Sequence, residues 1–193
     1  MNSEVGMEAV KIVLLCIASA IVYGILHDQV TARVCVEYFT IGHPPVFYTD
    51  SPTLLALGWG VIATWWVGLL LGIPLALVSR LGSGPKYDAA HLIRPLCKLL
   101  VVMFCVSMIA GLIGYFVASQ GGVWLLEPLR SRVPSEKHSA FLADLWAHLT
   151  AYSVSILGGI TICRWVFSKR RQMAKSVGNQ DFLATDHQAP KID

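Results

Sequence analysis

The sequence predicts an all-α fold, a four-helix transmembrane bundle, from three observations. Of the 193 residues, 55% are apolar and only 14% charged, with a mean hydropathy of +0.60. A soluble domain carries about 25% charged residues, so this chain lacks the polar material to cover a globule. Four apolar stretches, at residues 10–26, 53–78, 99–118 and 145–167, each approach or exceed the ~20 residues that cross ~30 Å of hydrocarbon. In lipid their backbone hydrogen bonds must close within each stretch, which makes them helices. The third observation is that Lys and Arg gather on one side of these stretches.

The first helix is expected at about residues 8–27. Its leader, MNSEVGMEAVK, mixes two acids with one base, and no small-x-small cleavage site precedes His27, so a retained helix is expected rather than a removed signal. It leads into HDQVTARVCVEYFTIGHPPVFYTDSP, whose first dozen residues are able to prolong the helix until Gly42 and Pro44 stop it. A partly helical outer loop is therefore expected after helix 1. The second helix, about 53–79, ends at Arg80 before the Gly- and Pro-marked turn LGSGPKYDAAHLIRP. The third covers about 96–118. Between it and the fourth lies SQGGVWLLEPLRSRVPSEKHSAF, in which VWLLEPL is short and reads as an interfacial piece. The fourth covers about 142–168. Residues 1–168 form one membrane domain on this reading, and 169–193, which lack sustained periodicity, are expected to be a disordered cytoplasmic tail.

Charge sets the expected orientation. Lys11, the four cations of the second connection and the six from Arg164 onward make eleven on one side. Arg33, Arg130, Arg132 and Lys137 are the four on the other. The positive-inside bias then places both termini in the cytoplasm and the loops at 27–52 and 119–143 outside. The net charge of +3 is no argument for nucleic acid, because the basic residues sit beside apolar spans rather than forming a face. The run SKRRQMAK is read as a topology determinant and, after that, as a contact for anionic lipid.

The five cysteines show no CxxC pair, so neither a disulfide framework nor thiol-redox chemistry is indicated. Small residues recur four apart at Gly68 and Gly72, at Ser107 and Gly111, and at Ala151, Ser155 and Gly159, a pattern that lets helices approach closely in lipid. Packing within the bundle is the simpler use of these faces; a homo-oligomer or a partner membrane subunit is the other. Trp59, Trp65 and Trp66 lie too deep to be only an interfacial belt.

Polar chemistry converges only once the topology is drawn. Helix 1 leaves the membrane at His27 and Asp28, and helix 4 enters from the same side through Asp144 and His148. Asp144 and His148 are four apart on one helical face. If helices 1 and 4 lie side by side, the four groups meet beneath the outer surface, with Tyr23 and Tyr152 as neighbouring donors. Glu37 and His43 in the outer loop are candidates to fold over as further ligands, and Arg33 is placed to pair with Glu37. Imidazole and carboxylate together suit a divalent transition metal, Zn²⁺, Mn²⁺ or Fe²⁺. They also suit a proton relay or a haem held by His27 and His148. The plain alternative is that polar residues at helix ends are simply solvated. There is no HExxH and no Glu-x-x-His pair. His91, His138 and His187 stand alone in polar segments and are expected to ligate nothing.

The stretch HDQVTARVCVEYFTIGHPP followed by TLLALGWGVIATWWVGLLLGIP resembles a group of small multipass bacterial inner-membrane proteins that carry no assigned activity. The likeness covers about residues 20–80. It implies a bacterial inner membrane and no chemistry. The sequence thus leaves two classes open: an outward-facing His/carboxylate site with enzymatic or metal-handling function, and an accessory subunit without chemistry of its own. A transporter or channel is disfavoured by the lack of a charged residue in mid-span and of a Pro-broken pair of helices.

Overall fold

The computed structural model describes residues 2–82 and 84–186. Its helices are α1 (Asn2–Val34), α2 (Val36–Thr40), α3 (Pro52–Ile62), α4 (Trp65–Arg80), α5 (Ala89–Ser119), α6 (Leu129–Arg132) and α7 (His138–Asp186), with a single 3₁₀ turn at Ser135–Lys137. There is no strand among the described residues. Four helical segments, Gly6–Val34, Pro52–Arg80, Ala89–Ser119 and Ser135–Ser176, are long and apolar enough to cross a membrane.

Local chemistry explains the starts and stops. Ser51 caps α3 by accepting from the Leu54 N–H, with Pro52 at the first helical position, where a missing N–H costs nothing. Asp88 caps α5 through the His91 N–H at 3.2 Å. The first helix outruns its expected end by one and a half turns or more and breaks at Cys35, which is extended (φ −149°, ψ 97°). His27 and Asp28 are therefore inside a helix and buried, not at a solvated end. The second span is interrupted at Ala63 and Thr64 without a proline there. Val67 N–H turns to the Thr64 carbonyl at 3.0 Å, and the Ala63 carbonyl accepts from the Tyr152 hydroxyl at 3.3 Å instead. The chain after Phe167, expected to be irregular, continues as α7 to Asp186, with no proline in that stretch to interrupt it. Residues 187–193, including His187 and Lys191, lie outside the described residues.

The helices pack as two close pairs, α1 along α3 and α4, and α5 along α7. Glycine makes the first pair possible: a Cβ on Gly60 would fall 2.6 Å from Ile25 Cα, and one on Gly68 would fall 2.6 Å from Ile17 Cα. Gly111 lies against Ala143 and Ala147, and Gly159 against Leu71. The small-residue faces are thus used inside the chain. Helices α1 and α7 are not packed side by side along their length, contrary to expectation. They approach across a cavity, one end of which is walled by His27 and His148.

Two apolar cores frame that cavity. One joins Ile12, Leu75, Leu92, Leu96 and Val166. The second joins α2, the start of α3 and the 125–142 segment around Tyr38, Phe39, Leu55, Trp59 and Phe141, and closes the His27–His148 end of the cavity. At the opposite end Arg170 of α7 is buried and donates to the carbonyls of Val78, Leu81, Gly84 and Pro85. It closes the C-terminal end of α4, where helical carbonyls lack partners. Its neighbours in the basic run remain exposed, as a charge signal would require, but Arg170 is a packing residue.

Candidate metal centre

His27 and Asp28 are consecutive on α1, and His148 reaches them from α7. One donor atom from each comes within 4.8 Å of the others. Asp28 Oδ1 is the hub, 3.4 Å from His27 Nδ1 and 3.2 Å from His148 Nε2. His27 is 2% exposed and Asp28 5% exposed, so this carboxylate is withdrawn from water. The cavity wall contains no Lys or Arg to balance it.

Hydrogen bonding assigns the protons. His148 Nδ1 lies 2.7 Å from the Asp144 carbonyl, which only accepts, so Nδ1 carries a hydrogen and Nε2 is the ring atom that faces Asp28. A proton on Nε2 or a metal ion between Nε2 and Oδ1 satisfies both atoms at this distance. Both distances are also compatible with a shared metal ion. Ligand bonds of ~2.0–2.1 Å in tetrahedral geometry set donors about 3.3–3.4 Å apart, and an octahedral right angle sets them about 3.0 Å apart. His27 Nε2 has no partner among the described residues and lines the cavity.

The surroundings are aromatic. Tyr38 stacks on His148 (centroids 4.6 Å apart, 28°), Tyr23 on His27 (5.5 Å), and His43 lies against Tyr38, Phe39 and Trp59. His43 donates from Nδ1 to the Tyr38 carbonyl at 2.8 Å, which leaves its Nε2 lone pair free at the cavity wall. Burial holds its pKa below the usual imidazole range, and the ring is neutral near pH 7. Burial likewise raises the Tyr38 hydroxyl above the ordinary phenol range.

The chain matches no protein-family model, no curated protein and no solved structure. Its function has to be read from this site alone.

Of the six predicted ligands, three converge. His43 lines the same cavity but lies outside the tight group. Asp144 is buried, yet it serves His148 through its backbone carbonyl, and its carboxylate Oδ2 has no partner among the described residues. Glu37 points elsewhere: it accepts from Cys35 Sγ at 3.4 Å and faces Lys137 Nζ at 3.9 Å. Burial pushes the Cys35 thiol up to about 12, helped by the Glu37 and Asp144 carboxylates, so it stays protonated. Arg33 does not pair with Glu37. It bonds Gln29 and Thr53, a turn back on α1 and across to α3. Tyr23 bonds Ser107 and Tyr152 bonds the Ala63 carbonyl, so neither donates to the cluster. A haem with both imidazoles as axial ligands has no slot, because the His27 and His148 rings are in edge contact at 4.6 Å.

Sequence reasoning missed Tyr38, Phe39 and Trp59 as walls of the site and the break at Ala63–Thr64. The signal for the first was present: VEYFT places two aromatics in a loop assigned to water. His91 pairs with Asp88 at 2.6 Å and His138 with the Val133 carbonyl at 3.0 Å, so neither is a free ligand.

Proposed function

We propose that the chain is a multipass protein of a bacterial inner membrane, both termini cytoplasmic, that holds a divalent transition metal ion between His27, Asp28 and His148 beneath its outer face. The observation that carries the reading is one buried carboxylate oxygen shared by two imidazole nitrogens, 3.4 and 3.2 Å away, in a cavity without Lys or Arg. Among divalent ions, Zn²⁺, Mn²⁺ and Fe²⁺ suit two imidazoles and a carboxylate. Three protein ligands beside an open cavity are the layout of a catalytic rather than a closed structural site. A metal bound there supplies Lewis acidity and lowers the pKa of a water ligand. His43, which lines the same cavity with its Nε2 free, is placed as a candidate to hold a proton there.

Metal analysis by mass spectrometry of the purified protein, beside His27→Ala, Asp28→Asn and His148→Ala, tests this. The wild type is expected to carry about one equivalent and each variant at least tenfold less, since even outer ligand partners alter affinity by about 10–100-fold. Equally negligible metal in all four proteins would overturn the reading.

A further inference from the structure

The cavity does not end at the metal ligands. It follows α1 inward past Ala20 to Cys16, eleven residues before His27, or about 16 Å along the helix axis. On α7 it passes Ala151 and reaches Ser155, two turns inward of His148. The deep walls are Val67, Leu71, Leu99 and Met103, with no ionisable carboxylate or cation among them. One end is therefore polar and the rest apolar, which suits an amphipathic molecule.

A second hollow shows how such a molecule would enter. It lies between α4 and α7 on the bundle's outside, lined by Leu70, Pro74, Ile156 and Ile160. Leu70, Ile156 and Ile160 are 62%, 61% and 53% exposed, at a level of the spans that faces hydrocarbon. Val67, Leu71, Tyr152 and Ser155 line both the hollow and the central cavity, so one layer of side chains separates the cavity from the bilayer. The water-facing end is covered instead by Tyr38, Phe39, His43 and Trp59. His27 Nε2, buried and unpartnered among the described residues, waits for a polar group at the inner edge of the metal ligands.

We propose that the occupant is a lipid chain that enters sideways between α4 and α7, lies along the deep apolar walls, and presents an oxygen-bearing head to the metal centre. The head's placement rests on the metal reading above; the chain's placement does not. Apolar cavity walls attract hydrocarbon because no polar group there must be desolvated without a partner, and a carboxylate, phosphate or hydroxyl oxygen fits an open metal position.

The test uses purified protein in phosphatidylethanolamine/phosphatidylglycerol vesicles with palmitic acid bearing a mid-chain diazirine. After irradiation, labelled residues are mapped by peptide mass spectrometry. Label is expected at Cys16, Leu99 and Met103, which line the central cavity and not the outer hollow, in excess over Leu112, which is 72% exposed on α5 and serves as the bilayer control. Ser155→Trp, and independently Val67→Trp, should cut cavity label about tenfold, the occupancy change of roughly 1.4 kcal/mol, while bound metal stays at the wild-type level and reports an intact fold. Label no greater at Met103 than at Leu112, or unchanged in both tryptophan variants, would overturn the inference even if metal is present. Cavity label in a metal-free wild type would defeat the metal reading and leave the lipid site standing.

Discussion

Arg170 offers the cleanest test of whether the basic run after α7 is charge or structure. The side chain is 8% exposed and makes four hydrogen bonds to carbonyls at the end of α4 and in the turn that follows. Hydrogen bonds from a charged donor contribute about 1.5–3 kcal/mol each, but four on one guanidinium are not additive. The stranded carbonyls lie near the membrane surface, where water replaces part of what is lost. Removal should therefore cost about 2–4 kcal/mol. For a chain of this size each kcal/mol corresponds to about 2–4 °C, so Arg170→Ala should lower Tm by about 5–15 °C. Arg171, its exposed neighbour, carries the same charge without those contacts. Arg171→Ala should shift Tm by no more than about 2 °C, as surface substitutions do. Arg170→Lys keeps the charge but loses the planar fork and should resemble the alanine variant more than the wild type. Tryptophan fluorescence melting in detergent reads all three. Equal Tm values for Arg170→Ala and Arg171→Ala would refute the packing role and return Arg170 to the topology signal.

Two further outcomes follow from the same geometry. Gly60→Ala drives a methyl to 2.6 Å from the Ile25 backbone and should cost about 1–3 kcal/mol, whereas Gly58→Ala meets only the Phe47 ring, which is able to swing away, and should cost less; denaturation midpoints compare the pair. His43 is held below its usual 6.5 by burial, so below that pH the unfolded chain takes up a proton that the folded chain refuses. Stability should be flat above pH 6.5 and fall as the pH drops beneath it, by at most about 1.4 kcal/mol per pH unit for this group. His43→Phe should flatten that slope in melting curves between pH 7 and 5, and an unchanged slope would show that another group sets it.

Much of the architecture was legible from residues 1–168 because lipid imposes a simple rule. Apolar runs of about 20 residues must be helices there, and few sequences satisfy that condition by accident. The outer ends of α1 and α7 were legible as a pair for the same reason. Once the spans are counted, His27, Asp28 and His148 have to lie toward one leaflet. What pattern cannot supply is rotation and depth. Whether Asp28 faces His148 or lipid depends on the turn of each helix about its axis, and that is fixed by Gly24, Gly60 and Gly68 locking α1 onto α3 and α4.

Tertiary structure alone separated Glu37 and Asp144 from the His27–Asp28–His148 group. Both are acids near the right place in sequence, but α2 breaks away at Cys35 and carries Glu37 toward Lys137, while helical geometry gives His148 the Asp144 carbonyl rather than its carboxylate. It alone revealed that the second span breaks at Ala63–Thr64, where the Thr64 hydroxyl donates back to the Gly60 carbonyl and the Ala63 carbonyl accepts from the Tyr152 hydroxyl, 89 residues away. Local sequence determines which segments enter the membrane because the solvent acts on each segment separately. Which side chains meet inside it is set by contacts between segments, and these exist only when the helices have packed.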